Sequence, residues 1–122
     1  MDLRVKKALK FIEENLDKKI SLKIITRYCC IGRSRFCELF KREIGIPFKA
    51  YLKRRKIEKA KELLKDDSLS IKKVSYKVGY KYIQNFCKDF KEMEGITPSE
   101  YRARYQIGKF TNKIGNFTNK NN

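Results

Sequence analysis

The chain has 122 residues, enough for one domain or two very small ones. It is 41% hydrophobic, and 31 lysines and arginines against 14 acidic residues leave a net charge of +17. This surplus favours a polyanionic partner, which can be DNA, RNA or an acidic membrane surface. No apolar run approaches the ~20 residues that span a bilayer, and no apolar segment follows Met1 as in a signal peptide.

Histidine is absent, which excludes His-based acid–base catalysis and most zinc and haem sites. The four cysteines lack the spacing of a zinc or redox motif; they are Cys29, Cys30, Cys37 and Cys87. Cys29 and Cys30 stand in an apolar stretch, and we interpret them as small buried thiols in preference to redox-sensing or metal-binding groups. We therefore expect a reduced, cytoplasmic protein with no cofactor, no metal and no catalytic residues.

Apolar residues recur at helical spacing along the chain and strand-like alternation is absent, which predicts an all-α fold of about seven helices. Asp2 and Ser21 are the predicted N-caps of the first two helices. Gly32 separates the second helix from a third, which ends at Gly45. Pro47 then opens a long helix that runs to about residue 65.

The same features then repeat in the same order: a serine cap, a short helix, a glycine break and a helix that ends at glycine. The matching positions are Phe40, Gly45 and Tyr51 with Phe90, Gly95 and Tyr101 at an offset of 50 residues, and Ser21 with Ser70 at an offset of 49. We interpret this as an internal duplication of a unit of two short helices joined by a turn. A plain helical bundle is the alternative.

Two helices joined by a tight turn form a helix-turn-helix, so the predicted organisation is two helix-turn-helix subdomains joined by a long linker helix. The first subdomain is expected over residues 1–52, the linker helix over 47–65 and the second subdomain over 66–106. Residues 107–122 contain a tandem heptapeptide rich in Asn, Lys and Thr, and are expected to form a disordered basic tail.

In a helix-turn-helix, the second helix packs one face on the core and offers the opposite face to base edges in the DNA major groove. The expected inward residues are Phe36, Leu39 and Phe40 in the first unit, and Phe86, Phe90 and Met93 in the second. The outward residues, which are candidate base readers, are Ser34, Cys37, Glu38 and Lys41, and Gln84, Cys87, Lys88 and Lys91. Candidate phosphate contacts are Arg33, Arg35, Lys41, Lys81 and Lys91. For any single residue, an ordinary solvated helix face is the alternative.

The most specific motif of the chain lies in its second half, at Ile71, Val74, Val78, Gly79, Tyr80, Phe86, Phe90, Lys91, Gly95, Ile96, Thr97, Pro98, Ser99, Tyr101 and Arg102. The first half adds Phe40, Lys41, Gly45, Phe48, Tyr51, Leu52, Ala60, Leu63 and Leu64. On these residues the chain resembles the AraC/XylS family of bacterial transcription regulators, over about residues 3–105. The lack of an effector domain and the basic run 51–56 look most like the short stand-alone, MarA- and SoxS-like members.

The resemblance implies two helix-turn-helix subdomains joined by a long helix, promoter binding that activates transcription, and contact with RNA polymerase. The family's base-reading positions fall on Ser34, Cys37 and Glu38 in the first unit, and on Ile83, Gln84, Cys87 and Lys88 in the second. The chain departs from the family in having these first-unit residues in place of bulky and basic readers, and Cys30 at a position that is usually Gly.

A linker helix over 47–65 would be ~28 Å long, which suits two recognition helices held about one DNA turn, ~34 Å, apart. One monomer would then enter two successive major grooves of double-stranded DNA at an asymmetric site. The alternative function is an RNA-binding or protein-interaction helical module, and exposed aromatic rings would favour RNA. Membrane binding and enzymatic activity are disfavoured.

Overall fold

The computed structural model describes the backbone of residues 1–120 and the side chains of residues 1–110. Regular structure in this part of the chain is entirely helical, in seven helices, so the predicted all-α class is confirmed. The helices are α1 (Leu3–Glu14), α2 (Leu22–Cys29), α3 (Arg33–Ile44), α4 (Phe48–Leu64), α5 (Ile71–Lys77), α6 (Ile83–Glu94) and α7 (Pro98–Lys120).

The helix ends follow from local side-chain chemistry. The carboxylate of Asp2 accepts a hydrogen bond from the amide of Arg4 at 2.7 Å, at the start of α1. Ser21 and Ser70 cap α2 and α5 in the same way, with hydroxyl oxygens 3.2 and 3.0 Å from amide nitrogens of the first turn. These bonds satisfy backbone donors that have no partner within the helix.

The apolar side chains form two separate cores. The first lies among α1, α2, α3 and the start of α4, and is made of Val5, Ala8, Ile12, Leu16, Ile20, Ile25, Cys29, Phe36, Leu39, Phe40 and Phe48. The second lies among the rest of α4, α5 and α6, and is made of Ile57, Ala60, Leu64, Val74, Val78, Phe86 and Phe90. The helix α4 therefore belongs to both halves, and each half is a unit of three or four packed helices.

Aromatic rings fill the centre of each core. Phe40 packs its ring on those of Phe36, Phe48 and Tyr51, with centroids 5.5–5.9 Å apart. In the second core, Phe90 packs in the same manner on two rings, Phe86 at 5.8 Å and Tyr101 at 5.7 Å. The rings meet tilted or edge to face, the arrangement that aromatic quadrupoles favour.

A buried lysine at the centre of α4 joins the two halves. The ammonium of Lys56 donates hydrogen bonds to the carbonyl oxygens of Leu16 at 2.7 Å and Lys18 at 2.8 Å, which follow α1. It also donates to the carbonyl of Val78 at 3.0 Å, at the end of α5. Burial lowers the pKa of Lys56 to about 8, whereas the three carbonyl acceptors favour the charged form.

The close approach of Lys56 requires a glycine beside it. Gly79 follows Val78 and has a φ of +81°, which side-chain-bearing residues rarely adopt. A Cβ atom at this position would lie 2.7 Å from the carbonyl oxygen of Lys18 and 3.0 Å from that of Leu16. Only glycine leaves room for the loop after α1 and the ammonium group of Lys56 to meet here.

Three sequence expectations differ from the structure. Met93 was expected in the second core but is exposed, because it lies in the last turn of α6, beyond Phe90, the last residue of that helix in the core. Cys30 was expected to be buried with Cys29, yet only Cys29 is buried. Cys30 is the C-cap of α2 in the left-handed conformation, with a φ of +55°, which turns its side chain to the surface.

The third difference is the tail expected over residues 107–122, since α7 continues to Lys120 without a break. The helix is attached to the end of α4 by Arg102, whose guanidinium donates to the carbonyl of Leu64 at 2.9 Å. Gln106 donates to the carboxylate of Asp67, one turn further on. These contacts attach the part of α7 up to residue 106 to the end of α4 and to the loop that follows it. The side chains from residue 111 onwards lie outside the described residues.

Candidate nucleic-acid interface

The exposed face of α3 carries four candidate base readers. Phe36, Leu39 and Phe40 anchor one side of the helix in the first core. The opposite side is open to solvent and carries Ser34, Cys37, Glu38 and Lys41, all of them exposed. The structure therefore brings these predicted residues together on one face, because helical residues three and four apart lie side by side.

The exposed face of α6 is similar but not identical. Phe86 and Phe90 anchor it, and Gln84, Lys88 and Lys91 are exposed on the other side. Ile83 and Cys87 are only partly exposed. Cys87 packs against the second core, and this burial raises the pKa of its thiol. Two of the predicted second-unit residues thus offer less surface than their neighbours.

The cationic side chains on these two helices differ in pairing from those on α4. On α4, Lys53, Lys61 and Arg55 each lie within 4 Å of an acidic side chain. None of the ion pairs among the described residues involves the candidate DNA-contacting cations, which are Arg33, Arg35, Lys41, Lys81, Lys88 and Lys91. All six are exposed. Their charge is therefore available to a polyanion.

The first turns of α3 and α6 have no side-chain cap on their amide groups. Gly32 and Tyr82 are the N-caps of these helices, and neither makes a side-chain capping hydrogen bond. The preceding helices α2 and α5, by contrast, begin at serine caps. Uncapped amides together with the helix dipole form a favourable environment for a phosphate.

The inner side of α6 carries an acidic contact that the sequence analysis did not find. Asp89 accepts a hydrogen bond from the hydroxyl of Tyr80 at 2.7 Å and pairs with Lys53 of α4 at 3.3 Å. Burial and this bond raise the pKa of the Tyr80 hydroxyl. The sequence contains one signal for this contact: at the offset of 50 residues, Asp89 corresponds to Leu39, which is buried. Asp89 holds α6 on α4 and leaves the outward face to the basic and amide side chains.

No group of three or more cysteine, aspartate and glutamate side chains able to hold a metal ion occurs among the residues whose positions are described. None of the helices within those limits is both long and apolar enough to cross a membrane.

Comparison with known proteins places this geometry among helix-turn-helix domains. A family profile described as a helix-turn-helix domain matches residues 25–104. The arabinose operon regulatory protein of Escherichia coli is 32% identical over 104 residues, which cover 84% of this chain and 36% of that protein. The chain spans about a third of the length of such curated relatives.

Two solved structures share the fold. The C-terminal domain of AraT, a response regulator from Geobacillus stearothermophilus, has a TM-score of 0.82 and 27% identity, covering 84% of this chain and 86% of that one. The DNA-binding domain of AdpA, a global transcriptional factor solved in complex with a target DNA, has a TM-score of 0.81. Its identity is 19%, covering 85% of this chain and 94% of that one, so this likeness concerns the fold.

Proposed function

Because the chain belongs to the AraC/XylS family of transcription regulators and contains their helix-turn-helix DNA-binding domain, we propose that it binds double-stranded promoter DNA as a monomer. The recognition helices α3 and α6 enter two successive major grooves of one duplex. The family is one of DNA-binding regulators and not of enzymes.

The observation that carries this proposal is the repeated outward face. At corresponding positions of the two units, a helix anchored by two phenylalanines exposes polar and cationic side chains on its free side. A helix of this kind fits the major groove, where amide side chains pair with adenine, lysine with guanine, and carboxylates accept from cytosine. The complex of the AdpA domain with DNA supports the same use of the fold.

The two faces differ in chemistry, so we expect an asymmetric DNA site. Where α3 has Ser34 and Glu38, α6 has Gln84 and Lys88 at the offset of 50 residues. Identical half-sites would not suit two different readers, and a palindrome is therefore not needed. One chain carries both readers, which makes a monomer sufficient.

Phosphate contacts supply most of the affinity in this proposal. Arg33 and Arg35 at the start of α3, and Lys81 before α6, are exposed beside the uncapped helix N-termini. If about six phosphates are neutralised, the log–log dependence of affinity on salt has a slope of about −5. Activation of transcription, contact with RNA polymerase and action in the cytoplasm are proposed from the family resemblance.

An in vitro selection from random DNA duplexes tests the proposal. We expect enrichment of a non-palindromic site with two half-sites about 10 base pairs apart, centre to centre. A single short half-site, a palindrome, or tighter binding to single-stranded RNA in a competition assay would contradict it. Lys59→Ala serves as the control variant in the same selection and should enrich the same site. Lys59 lies on α4, outside the proposed DNA contact, and pairs with Glu62 at 3.6 Å.

A further inference from the structure

A groove on the outside of the first unit has no role in the proposed DNA contact. It lies between α1 and α2, has a volume of about 440 Å³, and is lined by Phe11, Lys23, Ile24, Arg27 and Tyr28. Two of its apolar lining residues are open to solvent: Ile24 is 46% exposed and Tyr28 is 43% exposed. The rings of Phe11 and Tyr28 meet at a tilt, with centroids 4.5 Å apart, and form one wall.

The second unit has a groove in the corresponding place, between α4 and α5, but with different chemistry. The helices α1 and α4 correspond at an offset of 52 residues, since the buried Val5, Ala8 and Ile12 match the buried Ile57, Ala60 and Leu64. This second groove is lined by residues that include Lys59, Leu63, Lys73, Tyr76 and Lys77. At the offset of 49 residues, Ile24 corresponds to Lys73 and Tyr28 to Lys77.

The second unit shows whether the fold needs apolar residues at the positions of Ile24 and Tyr28. The second unit packs its helices with exposed lysines at these two positions. Ile24 and Tyr28 are therefore not required to close the unit, and exposing them to water has no benefit for folding. A surface that keeps an aliphatic and an aromatic residue where the scaffold accepts lysine is typical of a docking site.

The charges around the groove indicate the partner. Lys23 and Arg27 line it, and the ammonium of Lys7 lies 4.7 Å from the centre of the Tyr28 ring. None of these three cations is in an ion pair among the described residues. An apolar floor with a basic rim is complementary to apolar anchors flanked by carboxylates. A second copy of this chain, with a net charge of +17, would bring like charges together.

We propose that the groove between α1 and α2 docks an acidic amphipathic helix of a partner protein. Apolar residues one helical turn apart occupy the space over Ile24 and against Tyr28, while flanking carboxylates reach Lys7, Lys23 and Arg27. A helix laid into a groove between two helices is an established mode of peptide recognition.

Titration of the full chain with designed peptides tests the proposal. The probe is a helical peptide of about 16 residues with leucines at i, i+4 and i+7 and glutamates elsewhere, and its control carries lysines in place of the glutamates. We expect the acidic peptide to shift the amide NMR signals of Ile24, Arg27 and Tyr28. The double variant Ile24→Lys/Tyr28→Lys, which copies the second unit, should weaken binding at least about tenfold.

Two further variants keep the test decisive. Lys23→Glu/Arg27→Glu leaves the apolar floor in place and should also weaken the acidic peptide at least about tenfold, even if the lysine variant fails to fold. Lys73→Ala/Lys77→Ala, at the corresponding place in the second unit, should leave binding unchanged. Equal binding of the basic peptide, NMR shifts elsewhere, or stronger shifts of the same residues with phosphatidylglycerol vesicles would overturn the proposal.

Discussion

The two helix-turn-helix units of this chain share a scaffold and differ in the surfaces that it displays. Several positions that cap or pack are occupied alike in both units, as Ser21 and Ser70, or Phe40 and Phe90. Many exposed positions differ, and Glu38 of α3 corresponds to Lys88 of α6. The chain thus shows, within one molecule, which residues the fold requires and which are open to other uses.

The aromatic centres provide the first way to sharpen this comparison. Phe40→Ala and Phe90→Ala should each lower the free energy of unfolding by about 3–5 kcal/mol, because each leaves a cavity in a closely packed core. Phe40 contacts three rings and Phe90 two, so we expect the larger loss at Phe40. Urea unfolding measures both. Two variants as stable as the wild type would show that the cores are placed wrongly.

The left-handed turns should respond in opposite directions. Gly79→Ala combines a strained φ with a close approach to the backbone after α1, and should destabilise the fold by about 3 kcal/mol or more. Cys30, at the corresponding position of the first unit, has a φ of +55° without being glycine. Cys30→Gly should stabilise by less than about 1 kcal/mol, because relief of strain is offset by backbone entropy. Thermal unfolding of both variants checks the difference in sign.

The buried ammonium of Lys56 gives a third test. Lys56→Met keeps most of the side-chain volume but leaves the carbonyls of Leu16, Lys18 and Val78 without this donor. We expect a loss of about 2–3 kcal/mol in the free energy of unfolding. Lys59→Met, on the same helix but exposed, should change it by less than about 0.5 kcal/mol. Similar values for the two lysines would argue against a linking role for Lys56.

The exposed faces should differ in DNA recognition. Lys88→Ala should weaken binding by about 1–3 kcal/mol and relax the preference at one base position. Glu38→Ala should change the preference in the other half-site, because a carboxylate that accepts from cytosine is lost.

Arg35→Ala should weaken binding to all sequences alike, because we assign Arg35 to a phosphate contact, which carries no sequence information. Equilibrium binding at fixed salt on the selected site and its single-base variants distinguishes these outcomes.

Much of the fold could be predicted because its signals are local. A serine cap, a phenylalanine spacing of four and a glycine in the left-handed region each act within a few residues, and both units repeat them. The continuation of α7 past residue 106 was missed because the tandem heptapeptide there lacks the apolar spacing of a helix. The contacts that attach α7 to the loop after α4, such as that of Gln106 with Asp67, were missed as well. Contacts between distant segments leave no periodic pattern in the sequence.

Lys56 shows the same limit in the core. It ends the run Lys53, Arg54, Arg55 and Lys56, which reads as a solvated face. The available signal was its spacing of four residues from both Leu52 and Ala60, which places it on the packed side of α4. For the candidate site, sequence identified two exposed faces, but exposure alone does not assign a residue to a base. The roles of the individual readers stay predictions.

The three hydrogen bonds of Lys56 have a consequence for the spacing of the two half-sites in the target DNA. If the two recognition helices were loosely tethered, the chain could bind half-sites that differ in their separation and in their relative rotation. Here the side chain of Lys56 holds both halves on α4. The two recognition helices are therefore fixed in their relative rotation as well as in their separation. On the proposed mode of binding, a single base pair inserted between the half-sites turns one of them by about a tenth of a revolution, out of reach of its helix.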